Sequence, residues 1–165
     1  MLARLMADQP VHCLVEIPKG SRNKYEFDAE LGGIKLDRFL FSSVVYPTDY
    51  GFIRDTLAPK GEPLDAMVCV SAPTFPGIVI PVKVLGVFRT KDEAGQDDKL
   101  LCVPLEDPNW RHMDELDDLS GQLRAEIEHF FSIYKTPEGK EVEIQGWEGR
   151  EFAETLLEDS RAAAQ

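Results

Sequence analysis

Six carboxylates crowd into two short stretches of this sequence. Lys60-Gly61-Glu62-Pro63-Leu64-Asp65 runs straight into an apolar segment, and Lys91-Asp92-Glu93-Ala94-Gly95-Gln96-Asp97-Asp98-Lys99 lies between two others. A turn that opens into a buried strand points its carboxylates into a common space, where Glu62 and Asp65 can share a hard cation. Crowding Asp92, Glu93, Asp97 and Asp98 costs repulsion unless water or a cation relieves it. A solvated turn is the commoner use of either stretch alone, so each gains meaning only in company. The second stretch lacks the ligand spacing and terminal Glu of an EF-hand.

A third group is basic and aromatic. It comprises Lys19-Gly20-Ser21-Arg22-Asn23-Lys24-Tyr25-Glu26, Leu36-Asp37-Arg38 and Tyr46-Pro47-Thr48-Asp49-Tyr50-Gly51. Lys24 and Arg38 both fall in segments that read as strands. Paired cations on strand faces suit a polyanion, with Arg able to grip phosphate oxygens two at a time. Cross-strand pairing with Glu26 and Asp37 is the structural alternative. No Gly-rich phosphate loop, G-x-S-x-G elbow or Cys/His pairing accompanies them. His12, His112 and His129 lack metal-ligand spacing and read as structural or surface groups.

These side chains need a scaffold. The sequence has 165 residues, which predicts one domain over 1–165, with a flexible tail over 1–8. Its 43% hydrophobic content can supply a core. Val11–Ile17, Lys24–Phe27, Gly33–Leu40, Ala66–Val70, Ile78–Phe88 and Lys99–Val103 read as strands, several in succession, which suggests a small barrel or sandwich. Leu123, Ile127, Phe130, Phe131 and Tyr134 recur at helical spacing after a Ser120 cap. A second helix from about Glu148 to Arg161 places Phe152, Leu156 and Leu157 on its inner face. The fold class is therefore α+β.

A formal net charge of −12 argues against nucleic-acid partners and anionic membranes. The N-terminus reads as no signal peptide, and no run is apolar enough to cross a bilayer. Cys13, Cys69 and Cys102 read as buried thiols of a reducing compartment, so the cytoplasm is the expected address.

Taken in order, the segments E-I-P-K-G, N-K-Y-E, L-D-R, Y-P-T-D-Y-G-F, G-E-P-L-D, D-E-A-G-Q-D-D-K and H-F-F-x-x-Y-K resemble the soluble inorganic pyrophosphatases of the bacterial, single-domain type. The resemblance covers nearly the whole chain. It implies a five-stranded, OB-like β-barrel flanked by two helices from the C-terminal half. It also implies hydrolysis of pyrophosphate to two phosphates with several Mg²⁺ ions per subunit, and a homo-oligomer, usually a hexamer.

By position, the resemblance makes Glu16, Asp65, Asp92 and Asp97 metal-binding carboxylates. Lys24, Arg38, Lys99, Tyr134 and Lys135 match residues that hold phosphate, and Tyr50, Tyr46 and Glu26 match further active-site positions. Glu62 falls where the family has its general base. One departure stands out. The family pattern Asp-x-Asp-Pro-x-Asp is here Lys60-Gly61-Glu62-Pro63-Leu64-Asp65, so Lys60 replaces a metal ligand and Glu62 adds a methylene to the base. Lys60 has three possible fates: it swings into solvent, replaces part of a metal's charge, or disables the metal site. Two functional readings follow: a Mg²⁺-dependent pyrophosphatase, or a catalytically weak pyrophosphate- or nucleotide-binding paralogue. A phosphohydrolase for a larger diphosphate ester is a third.

Overall fold

The computed structural model describes residues 10–165. The tail expected over 1–8 lies outside the described residues. In chain order the strands are β1 (Val11–Ile17), β2 (Asn23–Asp28), β3 (Gly33–Phe39), β4 (Asp49–Ile53), β5 (Asp65–Val68), β6 (Val79–Asp92), β7 (Gly95–Gln96), β8 (Lys99–Pro104) and β9 (Glu143–Glu148). The helices are α1 (Gly121–Ile133) and α2 (Arg150–Ala163).

Five strands close into a ring. β1 pairs with β4, β4 with β5, β5 with β8, β8 with β6, and β6 returns to β1. Only β5–β8 is parallel. Closure leaves the ring without free edges. β7 and β9 pair with the outer part of the long β6, while β2 and β3 form a separate hairpin. The expected five-stranded, OB-like α+β barrel is what the chain builds.

Strand alternation divides the core in two. Cys13, Val15, Ile53, Ala66, Val68, Val82, Leu100 and Cys102 come from all five ring strands and fill the barrel interior. Met67, Leu85, Leu101 and Val103 face the other way, where Ile127, Phe130 and Phe131 of α1 cover them. β8 is buried at every position because both its faces are covered. Ser120 caps α1 by accepting a hydrogen bond from the Leu123 amide, as expected.

Gly51 sits where β4 crosses a bulge in β1. A β-carbon there would stand 1.9 Å from the Leu14 carbonyl oxygen, so only glycine fits. This close crossing aligns Ile17 with Tyr50 and Phe52 with Asp65.

Two sequence expectations need correction. β4, β9 and the two-residue β7 were not among the expected strands. Phe152 is not on the inner face of α2, where Ala153, Leu157, Ser160 and Arg161 are buried instead. Its ring is exposed and carries the Arg89 guanidinium 4.9 Å from its centre. Leu157 faces inward as expected, and Leu156 is half-buried at the edge of the interior cluster.

Candidate active site

Two neighbouring strands begin with opposite charges. Asp65 opens β5 and Lys99 opens β8, and the parallel register sets them side by side. The approach to β5 is tightly fixed. Thr56 Oγ1 donates to the Ile53 carbonyl at 2.6 Å and accepts from the Leu64 amide at 3.0 Å. Gly61 takes a positive φ of 88°, and the Gly61 amide donates to the Ala58 carbonyl at 2.9 Å. Lys60, Glu62 and Asp65 thus project from one closed turn. The acidic loop after β6 is fixed too. The Asp97 amide donates to the Thr90 carbonyl at 2.8 Å, and Thr90 Oγ1 returns a bond to the Asp97 carbonyl at 2.8 Å.

A cleft of about 520 Å³ opens above these strand mouths. Its acidic part comprises Glu16, Glu26, Glu62, Asp65, Asp92 and Asp97. Lys24, Arg38, Lys60 and Lys135 supply cations, and Tyr50 and Tyr134 supply phenols. Twelve residues singled out from the sequence therefore meet in one space, from segments more than a hundred residues apart. Two others lie beneath it. Tyr46 is buried, with its ring 4.6 Å from that of Phe130 and 5.7 Å from that of Tyr50, and so supports the floor. Lys99 is only 2% exposed and reaches Asp97 and Asp65 from below, at 3.0 and 3.8 Å. The rings of Tyr50 and Phe131 flank its ammonium at 5.5 and 5.1 Å.

Asp65 and Asp97 share the Lys99 ammonium, and the ionisation of each affects the other. Burial, reinforced by the Asp97 charge, raises Asp65 against the pull of Lys99. Burial opposes ionisation of Asp97 as well, but the charge and hydrogen bond of Lys99, with the charge of Lys60, hold its pKa below the usual range. Burial also lifts Glu16 to about 7, although its Oε2 accepts from the Phe27 amide at 2.8 Å. Burial raises the phenols of Tyr50 and Tyr134, so both stay protonated and able to donate.

On the hairpin side, Lys24 and Arg38 face each other across β2 and β3. Both hold Asp37 Oδ2, at 3.1 and 2.6 Å, as the cross-strand alternative envisaged. Arg38 Nε also pairs with Glu138. The sequence reading did not single out Glu138 or Lys140, which lines the cleft. Both follow the Tyr134-Lys135 motif closely, which is the signal that points to them. Asp49, inside the Tyr46–Gly51 motif, is structural: it is fully buried and accepts from the Lys19 amide at 2.7 Å and from Thr74.

The acids are not gathered into a ready cage. Among the described residues, no three acidic, cysteine or histidine side chains stand together at a spacing that holds a metal ion. Lysines stand between them instead. Lys60 reaches Asp97 at 3.3 Å and Asp92 at 3.7 Å, while Lys135 reaches Asp92 at 3.2 Å. Lys60 therefore does not swing into solvent but stands inside the site, where the other two fates both place it. The three cysteines are buried free thiols, as expected. Among the described residues, no helix is long and apolar enough to cross a membrane.

The chain is similar in sequence and fold to known proteins. The family model for inorganic pyrophosphatase matches residues 13–165. An inorganic pyrophosphatase of Streptomyces coelicolor is 55% identical over 147 residues, which span 88% of this chain and 90% of that protein. One from Methanosarcina acetivorans is 52% identical over 149 residues, 90% of this chain and 89% of that one. The solved inorganic pyrophosphatase of Thermus thermophilus superposes with a TM-score of 0.92 at 42% identity, covering 96% of this chain and 92% of that chain. With a family match that runs from β1 to the last residue, and relatives this similar over nearly their whole length, the chain belongs to the inorganic pyrophosphatase family.

Proposed function

We propose that this protein hydrolyses inorganic pyrophosphate to two phosphates with the help of several Mg²⁺ ions, through the cleft at the mouths of β5 and β8. The observation that carries the reading is the division of that cleft. Cations and phenols suited to phosphate oxygens share one space with acids suited to hard metal ions.

The donor set fits magnesium. Asp65 and Asp97 converge on the Lys99 ammonium at 3.8 and 3.0 Å, which places oxygen donors and negative charge side by side where a divalent ion can bind. Asp65, Asp97, Asp92 and Glu16 are the residues that would hold the ions. When bound, Mg²⁺ neutralises charge on the anion and acidifies the attacking water.

The chain's own groups do the rest. Lys24, Arg38 and Lys135 exchange their partners Asp37, Glu138 and Asp92 for phosphate oxygens. They then stabilise charge on those oxygens through an in-line displacement. Tyr50 and Tyr134, held protonated by burial, donate hydrogen bonds and orient the anion. Lys99 works from below, fixing Asp97 and Asp65. Glu62 lines the cleft two residues after Lys60 and takes a proton from the attacking water as general base. Glu26 and Tyr46 complete the wall and the floor.

Similarity to proteins named inorganic pyrophosphatase over nearly the whole chain does not favour a catalytically weak binding paralogue, although Lys60 stands within the cleft. The three buried thiols fit a reducing cytoplasm. We expect a homohexamer, which light scattering of the purified protein checks. Phosphate release from pyrophosphate in Mg²⁺, set against a panel of nucleoside diphosphates, tests the activity. A preference for the larger esters would overturn it.

A further inference from the structure

Five side chains of the cleft and Lys99 beneath it form one unbroken ladder of alternating charge. Lys135 lies 3.2 Å from Asp92 Oδ2, and Lys60 lies 3.7 Å from the same oxygen. Lys60 then lies 3.3 Å from Asp97 Oδ2, which Lys99 also approaches at 3.0 Å. Lys99 ends the ladder 3.8 Å from Asp65 Oδ2. Lys60 joins Asp92 and Asp97, which share no other cation among the described residues.

This is not a loose surface contact. The side chains of Asp92 and Asp97 are 4% and 13% exposed, and that of Lys60 is 22% exposed. Two poorly solvated carboxylates repel each other unless a cation stands between them. The lysine is also delivered by a fixed segment. The Ala58 amide donates to the Glu62 carbonyl at 2.7 Å, closing the turn around Lys60.

An ammonium has three donors and no lone pair. It can neutralise carboxylates but cannot share their inward oxygens with a divalent ion, which it repels at close range. We infer that Lys60 is a built-in cation of the site. It occupies the position between Asp92 and Asp97 that a divalent ion would otherwise take, so this chain binds one divalent ion fewer than the same scaffold without the lysine. The inference rests on the reading of the cleft as a metal-assisted site.

The test is to count bound Mn²⁺ by equilibrium dialysis of the whole protein, without substrate, for the wild type, Lys60→Asp and Lys60→Met. Each variant is expected to gain one ion per chain. Lys60→Met binds it more weakly because it adds no carboxylate, and it keeps the test open if Lys60→Asp folds poorly. Equal counts in the wild type and the variants would overturn the inference and leave the metal-assisted reading standing. No Mn²⁺ on any of the proteins would overturn both.

Discussion

Lys99 lies buried beneath the cleft with its ammonium 3.0 Å from Asp97 Oδ2. The position is costly without partners, because a buried ammonium must be paired. The partners are acids expected to hold metal, and the rings of Tyr50 and Phe131 close the remaining sides. One residue thus ties the packing of α1 to the chemistry of the strand mouths.

Replacing Lys99 by Met should therefore injure both. Two carboxylates lose their nearest cation, one of them poorly exposed, and stability should fall by about 3 kcal/mol. Protonation of Asp97 would relieve part of this, so the loss should shrink at acid pH. Denaturant unfolding at pH 8 and pH 5 measures both numbers. An equal loss at the two pH values would mean that the ammonium acts by packing alone.

Glu62 is expected to act on protons and contribute little to the fold, since its side chain is exposed at the edge of the cleft. Glu62→Gln should lower kcat by about 10²- to 10³-fold with little change in KM or melting temperature. Glu62→Asp keeps the carboxylate and should retain far more activity. Steady-state kinetics on the two variants separates a base from a mere spacer.

Metal affinity should depend on pH with a defined sign. In the metal-free protein, burial lifts Glu16 to about 7 and raises Asp65 as well. Both hold protons that a divalent ion must displace, so affinity for Mg²⁺ should climb as pH rises through about 7 and level off above. Stability of the metal-free protein runs the other way for these groups. A raised folded pKa contributes stability below the ordinary value of 4.5, and that contribution is lost as pH rises through about 7. Asp97, held low by Lys99, has the opposite sign and loses its contribution only in acid. The rise in melting temperature caused by Mg²⁺ should thus be larger at pH 8 than at pH 5.5. Thermal scans with and without Mg²⁺ measure it.

Gly51→Ala should cost about 3 kcal/mol or more, because the new methyl would sit 1.9 Å from the Leu14 carbonyl oxygen on rigid strand backbone. Since the crossing of β1 and β4 positions Tyr50, activity should fall together with stability. Parallel unfolding and activity curves check this.

Much of the frame was legible where local patterns coincide with tertiary demand. β1 has the expected bounds, and α1 follows the spacing of Ile127, Phe130 and Phe131 behind its Ser120 cap. β4 was hidden because Tyr46-Pro47-Thr48-Asp49-Tyr50-Gly51 carries turn residues and a fully buried aspartate. Its strand character comes from pairing with β1 and β5. β9 is rich in glutamate and becomes a strand only by pairing with β6. Phe152 misled because an aromatic on a helix reads as core, whereas here it stacks under Arg89 at the surface. Within the site, residue types and motif order pointed to the cleft members. The ladder through Lys60 was not legible, since it depends on a turn and a loop 32 residues apart meeting at the barrel mouth.

Phosphate release from pyrophosphate by the purified protein across a Mg²⁺ titration, with Asp65→Ala as the control, is the decisive measurement of the hydrolysis. Release that requires Mg²⁺ and falls by about 10²-fold or more in the control is the predicted result. A folded wild-type protein that releases no phosphate at any Mg²⁺ concentration would contradict it.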